Sequence, residues 1–442
     1  MSNEGLEISE ERLEIAIGME KFFGQGKFET LKFAEDSCLS IGSFGNVGVV
    51  ETDEGLVIFD LALRLFGPLI FKRVRDFSTK PVKYIILSHG HFDHCLGYSY
   101  FIKEIEDKGW EMPQVIAHEN LVRRFKKYTM LDKHQAWTYR QQFASVGVTA
   151  TDDESIHRRL DPTIVIRNNE SYEFKLGNVK FEIYHDKGET DDSLWMFVPD
   201  KKVLFTGDLF VTSFPNVGSP FRVQRYAKDW AFANEKMIEK NPEYLLPGHG
   251  PLLEGKEKIK ELLSITAESM HFVHDEIVKR LNEGKWFEEI YFEMLDIMPE
   301  KFKKHRYLRP MYGDYRFAIH DVYRLYHGWY DSGNPTDLFP AKSGEIAKEI
   351  LKIANEGSIL ERANNLVEEG KNQLALHILD IIIKANDSAN LGVLLNALKL
   401  KSKLIKQKAK QESSFIAMNI YNTSVIQIKN QIKQLKKSLK NV

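Results

Sequence analysis

The chain has 442 residues, of which 43% are hydrophobic and 28% are charged, a balance typical of a globular protein with two or three domains. Its formal net charge of -2 lacks the basic excess of proteins that contact many phosphates, so no nucleic-acid partner is expected. The two cysteines, Cys38 and Cys95, are too few for a disulfide framework or a zinc site made of thiolates. Any bound metal must therefore be held by histidine and carboxylate side chains.

The first residues, Met1 to Arg12, are acidic and polar and lack the basic and apolar parts of a signal peptide. No run of about 18 apolar residues occurs that would span a membrane. Together these observations predict a cytoplasmic protein without a membrane span.

Residues 1–38 are interpreted as a lead-in to a domain over residues 39–255, where short β-branched apolar runs alternate with polar or helical segments. This alternation is typical of a layered α/β domain. The turn at residues 53–55 predicts a hairpin between the first two runs. The predicted strands lie at residues 47–52, 56–60, 84–87, 115–117, 179–184, 194–198, 203–206 and 244–246.

From residue 256 the apolar spacing becomes helical, and residues 256–340 are predicted to form a helical connector. Residues 341–442 are predicted to form an all-α domain of short antiparallel helix pairs, too few for a repeat array. The chain ends in an amphipathic basic helix, in which apolar residues from Ile428 to Leu439 step by four, three and four. A nucleic-acid or membrane role is an alternative there, but a solvated face on a terminal or oligomerising helix is preferred.

The residues with the clearest chemistry follow a predicted buried strand that ends at Leu87. His89, His91, Asp93 and His94 fall within six residues of one another. Two divalent ions about 3.5–4 Å apart require six or more converging nitrogen and oxygen ligands. We expect His89 and His91 to hold one ion, and Asp93 and His94, at the start of the next helix, to reach the second.

This H-x-H-x-D-H run resembles the signature of the metallo-β-lactamase superfamily. The resemblance implies an αβ/βα sandwich, with the metals at one edge of two facing sheets, followed here by the all-α C-terminal domain. It implies that Asp208, at the end of residues 203–208, bridges the ions and that His249, within residues 245–250, binds the second ion. It also implies that Asp60 braces the ligand turn without being a ligand.

One segment, residues 187–193, departs from the superfamily pattern, because Glu189 stands where a histidine ligand is usual. His185 and His118 are competing candidates for that ligand position. A glutamate at this position resembles the class III alkylsulfatases.

Later segments support the same resemblance. Residues 214–217, residues 326–335 and the helices after Pro340 resemble that family's connector and its dimerisation domain. The resemblance therefore implies a homodimer formed through the C-terminal helices.

A carboxylate ligand lowers the net charge of the site, so an anionic small-molecule ester would need nearby cations. The resemblance implies sulfate-ester hydrolysis by a hydroxide formed at two divalent ions, with Zn²⁺ expected and iron or manganese compatible with the same ligands. Asp93 or Glu189 would take the proton during turnover. The candidates for binding the substrate are Arg222, Arg225, Tyr139 and Arg140.

Two alternative functions stay open. The first is hydrolysis of another ester, a thioester, a lactone or a phosphoester, because function belongs to the site and not to the fold. The second is a metal-containing scaffold whose C-terminal helices recruit a partner. A serine hydrolase is disfavoured, since no G-x-S-x-G motif occurs.

Overall fold

The computed structural model describes residues 29–143, 159–385 and 390–440. The chain divides into two compact units, the first of residues 1–136 and 149–327 and the second of residues 137–148 and 328–442. No helix within the described ranges is long and apolar enough to cross a membrane.

The first sheet of the first unit has seven strands in sequence order, antiparallel from β1 to β4 and parallel from β4 to β7. The strands are β1 (Thr30–Phe33), β2 (Cys38–Ile41), β3 (Val47–Glu51), β4 (Leu56–Phe59), β5 (Val82–Ile86), β6 (Gln114–His118) and β7 (Ile164–Ile166). Strand β1 and the start of β2 lie inside the segment interpreted as a lead-in, so the sheet begins earlier than residue 39.

The second sheet has six strands in the order β13-β12-β11-β10-β9-β8, and only β11 and β12 run parallel. Every strand that the sequence predicted overlaps a strand of one of the two sheets. The strands are β8 (Ser171–Leu176), β9 (Val179–His185), β10 (Leu194–Val198), β11 (Val203–Val211), β12 (Tyr244–His249) and β13 (Leu253–Glu254).

The two sheets pack face to face through a shared apolar core. The rings of Phe59 on β4 and Phe205 on β11 meet with centroids 5.6 Å apart. Gly48 on β3 makes room for this contact, because a Cβ at that position would lie 2.3 Å from the Phe205 ring. The αβ/βα sandwich expected from the sequence is confirmed.

Helices cover the outer faces of the sandwich. A second core joins β10, β11 and β12 to the helices that follow, including most of the predicted connector, which belongs to the first unit as far as His327. The helices are α1 (Gly67–Phe77), α2 (Phe92–Cys95), α3 (Ser99–Lys108), α4 (Glu119–Met130), α5 (Asp132–Phe143), α6 (Ala227–Glu239), α7 (Lys256–Asn282), α8 (Phe287–Ile297), α9 (Glu300–Lys303) and α10 (Tyr315–Tyr326). Short 3₁₀ helices lie at Arg64–Phe66, Pro199–Lys201 and Pro335–Asp337.

Among the described residues of the second unit, all regular secondary structure is helical, as the sequence predicted. Buried apolar residues such as Ala363, Leu379 and Leu398 form its core. The end of α5 belongs to this unit, where Phe143 contacts Phe415 with ring centroids 6.2 Å apart. The helices are α11 (Ser343–Ile353), α12 (Glu356–Glu368), α13 (Asn372–Ala385), α14 (Leu391–Gln411) and α15 (Phe415–Lys440).

Candidate metal centre

The ligand turn follows directly from the end of β5. His91 has an extended backbone and is the N-cap of α2, and Asp93 and His94 lie in that helix. The side chains of His89 and His91 therefore project from an extended segment, whereas those of Asp93 and His94 project from a helical turn. Because a bend separates the two pairs, one short segment can supply ligands to two neighbouring positions.

Four side chains form a first cluster whose ligand atoms lie within 4.8 Å of one another: His89, His91, Glu189 and Asp208. Nε2 of His89 lies 2.8 Å from Nδ1 of His91 and 3.7 Å from Oδ2 of Asp208. The side chains of His89, Glu189 and Asp208 are buried.

A second cluster with the same 4.8 Å limit contains Asp93, His94 and His249. Oδ1 of Asp208 lies 3.3 Å from Nε2 of His94 and 3.4 Å from Nε2 of His249. The two oxygens of Asp208 therefore face different clusters, Oδ2 the first and Oδ1 the second. Asp208 is the residue for which the sequence resemblance implied a bridging role, and that role stays a prediction.

The local backbone explains how Asp208 reaches this position. Gly207 has a φ of +50°, and the pairing of β11 with β12 shifts register on both sides of it. Such a bulge re-aims the next side chain. Gly248, beside His249, keeps the space open, because a Cβ there would lie 2.0 Å from Oδ1 of Asp208.

Two buried ligand atoms lack a hydrogen-bond partner among the described residues: Nε2 of His94 and Oδ1 of Asp208. Leaving such atoms buried without a partner costs about 1–3 kcal/mol each. A metal ion would satisfy both, and a set of imidazoles and carboxylates suits zinc and similar divalent ions. The residues present therefore fit a pair of metal ions.

The buried charges of the site also indicate a bound cation. Burial, together with the nearby Asp208 carboxylate, raises the pKa of Glu189 well above its ordinary value. Although burial opposes it, His249 and His94 hold the pKa of Asp208 well below its ordinary value. Burial lowers the pKa of His89 to about 4, so its ring is neutral, as metal ligation requires. Two buried carboxylates this close are stabilised together by a cation between them.

Asp60 supports the second cluster from behind. Its carboxylate accepts hydrogen bonds from the backbone N–H and the hydroxyl of Ser88, at 2.7 Å each, and lies 2.8 Å from Nδ1 of His94. A proton on Nδ1 leaves the lone pair of Nε2 directed at the ligand cluster. The role of Asp60 in bracing the ligands stays a prediction, which this contact supports.

Asp192, which the sequence analysis did not single out, supports the first cluster. Its Oδ2 accepts a hydrogen bond from the backbone N–H of Gly90 at 3.0 Å, between the two histidines of the turn. Nε of Arg124 donates to Oδ1 of Asp192 at 2.9 Å. The loop that carries Glu189 thus also holds the His89–His91 turn.

The two candidate arginines differ in their surroundings. Arg225 is buried, and its Nη1 donates to Oε1 of Glu189 and, at 2.7 Å, to the carbonyl oxygen of Asn216. Arg222 is partly exposed, and its Nη1 donates to Oε1 of Gln135 at 2.9 Å. Arg225 is therefore bound to a candidate ligand, whereas the side chain of Arg222 contacts Gln135.

Two tyrosines that the sequence analysis missed lie in the field of the same residues. Burial raises the pKa of Tyr312, the Glu189 carboxylate adds to this shift, and Arg225 and, less strongly, Arg222 oppose it. Burial also raises the pKa of Tyr128, although the positive charges of Arg124 and Arg222 act to lower it. Both hydroxyls stay protonated at neutral pH. No local pattern distinguishes these tyrosines in the sequence.

The competing ligand candidates lie elsewhere. The rings of His118 and His185 stack on each other with centroids 3.9 Å apart, and neither belongs to a ligand cluster. Tyr139 and Arg140 are on the part of α5 that belongs to the second unit, where the Tyr139 ring lies 5.5 Å from that of Phe143 and Arg140 is exposed. Their role in substrate binding stays a prediction.

Comparison with protein families gives two matches. Residues 41–249 match the model described as metallo-beta-lactamase superfamily, and residues 287–431 match the model described as alkyl sulfatase dimerisation. The first match contains all seven ligand candidates. The second contains α8 to α14.

Curated relatives match over both regions. A linear primary-alkylsulfatase of Pseudomonas sp. is 25% identical over 365 residues, which cover 78% of this chain and 67% of that protein. An (R)-specific secondary-alkylsulfatase of Pseudomonas sp. is 24% identical over 409 residues, which cover 87% of this chain and 60% of that protein. An alkyl/aryl-sulfatase of Saccharomyces cerevisiae is 23% identical over 369 residues, which cover 77% of this chain and 55% of that protein. The chain thus spans between 55% and 67% of the length of these relatives.

A solved structure has the same fold. The stereoselective inverting sec-alkylsulfatase Pisa1 from Pseudomonas sp. superposes with a TM-score of 0.75 at 20% identity, over 89% of this chain and 64% of that one. Residues 41–249, which contain the sandwich strands from β3 to β12 and both ligand clusters, are therefore similar to the metallo-β-lactamase superfamily. Residues 287–431 are similar to the dimerisation region of alkylsulfatases.

Proposed function

We propose that this protein hydrolyses sulfate esters of small molecules with the help of two divalent metal ions. The observation that carries the proposal is the placement of Asp208 between two ligand clusters, with buried ligand atoms that lack other partners. The sulfate-ester substrate is supported by relatives that are named as alkylsulfatases and match both parts of the chain.

Each ion would be held by three side chains of its own, with Asp208 shared. When bound, such a pair polarises a substrate oxygen and lowers the pKa of a coordinated water towards neutrality. Zinc is the ion we propose, because the ligands are imidazoles and carboxylates. The first ion would take His89, His91 and Glu189, and the second Asp93, His94 and His249.

The surrounding residues orient these ligands and balance their charge. Asp60 directs Nε2 of His94 towards the cluster, and Asp192 holds the turn between the first two histidines. Arg225 offsets the negative charge that Glu189 adds. We assign the movement of the proton to Asp93, because the Glu189 carboxylate is already bound to Arg225.

Arg222 is the cation that we assign to the sulfate group. Its guanidinium would donate to the sulfate oxygens, since Arg225 is committed to Glu189. The protonated hydroxyls of Tyr128 and Tyr312, which lie within the electrostatic reach of Arg222, would add hydrogen bonds to the sulfate. This division of roles between the two arginines goes beyond the sequence prediction, which treated them as equivalent.

The helices of the second unit would form the homodimer. The dimerisation match over residues 287–431 supports this assignment, as does the exposure of apolar side chains on α11, where Ile346 is 47% and Ile353 is 88% exposed. The mass of the protein in solution, measured by light scattering, tests it.

The function is tested by an ester panel on metal-reconstituted protein. Sulfate release from short and long alkyl sulfates is measured beside phosphoester, lactone and thioester substrates, for the wild type and for Glu189→Ala. The exposed Glu239→Ala is the matched control. Selective sulfate release that Glu189→Ala abolishes and Glu239→Ala preserves is expected. Turnover of another ester alone would reject the substrate, and metal binding without turnover of any ester would favour the scaffold.

A further inference from the structure

The last two helices carry a charge that the rest of the chain does not share. Helices α14 and α15 pack against each other as an antiparallel pair, which we call the basic hairpin. Residues 391–442 contain eleven lysines, no arginine and one acidic residue, Glu412, so their formal charge is +10. The remaining residues carry -12, which gives the net charge of -2 for the chain. The positive charge is therefore concentrated in one element.

The lysines are arranged in stripes along each helix of the hairpin. On each helix they recur at spacings of three and four residues, which place them on one face. All eight are exposed, and none forms an ion pair with an acid among the residues that the structure describes. The stripe of α14 is Lys399, Lys403, Lys406 and Lys410, and that of α15 is Lys429, Lys433, Lys436 and Lys437.

Two other lysines of the hairpin, Lys401 and Lys408, contact side chains of the same chain. Lys401 is partly buried and pairs with Asp380 on α13. Lys408 lies over the ring of Tyr421 at 5.7 Å from its centroid. The stripes lack such internal contacts, so like charges are held close together on each helix at a cost in stability. An external anionic partner would offset that cost.

The composition of the hairpin distinguishes between anionic partners. Nucleic-acid sites favour arginine and exposed aromatic residues, which bind phosphates and stack on bases. The described part of the hairpin has no arginine and no exposed aromatic side chain. Its most exposed large apolar residue among those described, Ile426, is 57% exposed and lies three and seven residues before Lys429 and Lys433 on the same face. Lysines around an exposed isoleucine fit a lipid headgroup layer.

We infer that the basic hairpin binds the surface of an anionic lipid membrane. The lysines would contact the headgroups and Ile426 would enter the layer below them. This surface contact needs no membrane-spanning helix. Membrane binding goes beyond the proposed function. Because it is measured without enzyme turnover, membrane binding and the proposed hydrolysis can each be refuted independently.

The test is sedimentation of the full-length protein with vesicles of phosphatidylcholine alone or mixed with phosphatidylglycerol. Binding is expected to the mixed vesicles only, and to weaken sharply between about 0.05 and about 0.5 M salt. Each lysine near an anionic surface contributes about fivefold in affinity. Replacement of the four α15 stripe lysines by glutamine should therefore weaken binding on the order of a hundredfold or more, while helix content measured by circular dichroism is kept.

A matched control removes the same charge from exposed lysines of the first unit, and vesicle binding should then change little. The control variant replaces Lys258, Lys260, Lys279 and Lys304 by glutamine. Absence of binding to the mixed vesicles at low salt overturns the inference. Preference for a single- or double-stranded oligonucleotide over vesicles, or a change in oligomeric state in the stripe variant, overturns it equally, since the lysines would then contact nucleic acid or a second copy.

Discussion

The carboxylate of Asp60 lies 2.8 Å from Nδ1 of His94, while Nε2 of the same ring points at Oδ1 of Asp208, 3.3 Å away. One side of the imidazole is thus fixed by a hydrogen bond, and the other is left without a protein partner. The backbone of Asp60 has a φ of +62°, a left-handed conformation that aspartate and asparagine tolerate better than most residues. The chain therefore holds a strained residue at this position to orient a ligand.

Asp60→Asn should weaken metal binding at the second cluster about 10- to 100-fold, because the neutral amide orients and polarises His94 less well. Asparagine tolerates the left-handed backbone, so folding should be kept. Competition with a chelator measures the affinity. The exposed Asp76→Asn on α1 is the control and should bind metal as the wild type does. Equal affinities for Asp60→Asn and the wild type would show that Asp60 does not orient the ligand.

Substitutions of Arg225 and Arg222 should impair different properties of the protein, metal binding in the first case and catalysis in the second. Arg225→Met removes the partner of Glu189 and should lower metal affinity at the first cluster about 10- to 100-fold. Arg222→Gln should keep the metal but reduce kcat/KM for sulfate esters about 100-fold, because donors to the developing charge are lost. Metal content and steady-state kinetics, measured on the same samples, separate the two effects. If Arg222→Gln loses the metal and Arg225→Met keeps it, the assigned roles are reversed.

Gly248→Ala should displace Asp208 without a charge change. The new Cβ would lie 2.0 Å from Oδ1 of Asp208, so the carboxylate must move away from its position between the clusters. Loss of at least one metal ion per chain is expected in elemental analysis. Gly328→Ala has no heavy atom within 4 Å of the added Cβ and serves as the control. Full metal content in Gly248→Ala would contradict the bridging position of Asp208.

A carboxylate distant from the ligands should show a pH-dependent contribution to stability. Glu182 on β9 is mostly buried, and hydrogen bonds from Lys180, Tyr184 and Lys240 outweigh burial and lower its pKa to about 2. Since the unfolded value is higher, the ionised form contributes about 2–3 kcal/mol at neutral pH. Glu182→Gln should therefore lower the urea midpoint at pH 7.

The sign of this effect is set by the lowered pKa. The wild type loses the contribution as the pH falls below about 4.5 towards 2, so the midpoints of the two proteins should converge there. Glu173→Gln removes an exposed partner of the same Lys180 and should change the midpoint little. A difference between Glu182→Gln and the wild type that is constant down to acidic pH would exclude the proposed cause.

Four of the five strands missed from the sequence share one location. Strands β1, β7, β8 and β13 are the edges of the two sheets, whereas the fifth, β2, lies inside the first sheet, as the predicted strands do. An edge strand is only partly buried, so its apolar signal is weak, as in β1, where three of four residues are exposed. Interior strands are covered on both faces and read as continuous apolar runs.

The ligand turn was predictable because its four residues are adjacent in the chain. The choice among Glu189, His185 and His118 required the resemblance, and the structure places only Glu189 in a cluster. The different surroundings of Arg222 and Arg225, and the contact of Asp192 with the turn, depend on segments distant in sequence that only folding brings together. No local pattern encodes such contacts.

The most direct test of the account is the number of divalent ions bound per chain after reconstitution, measured by elemental mass spectrometry on the wild type and on Asp208→Asn. The account predicts about two ions for the wild type and one or fewer for the variant, because Asp208 faces both clusters. Fewer than one ion in the reconstituted wild type, or two ions retained in Asp208→Asn, would contradict the dinuclear centre.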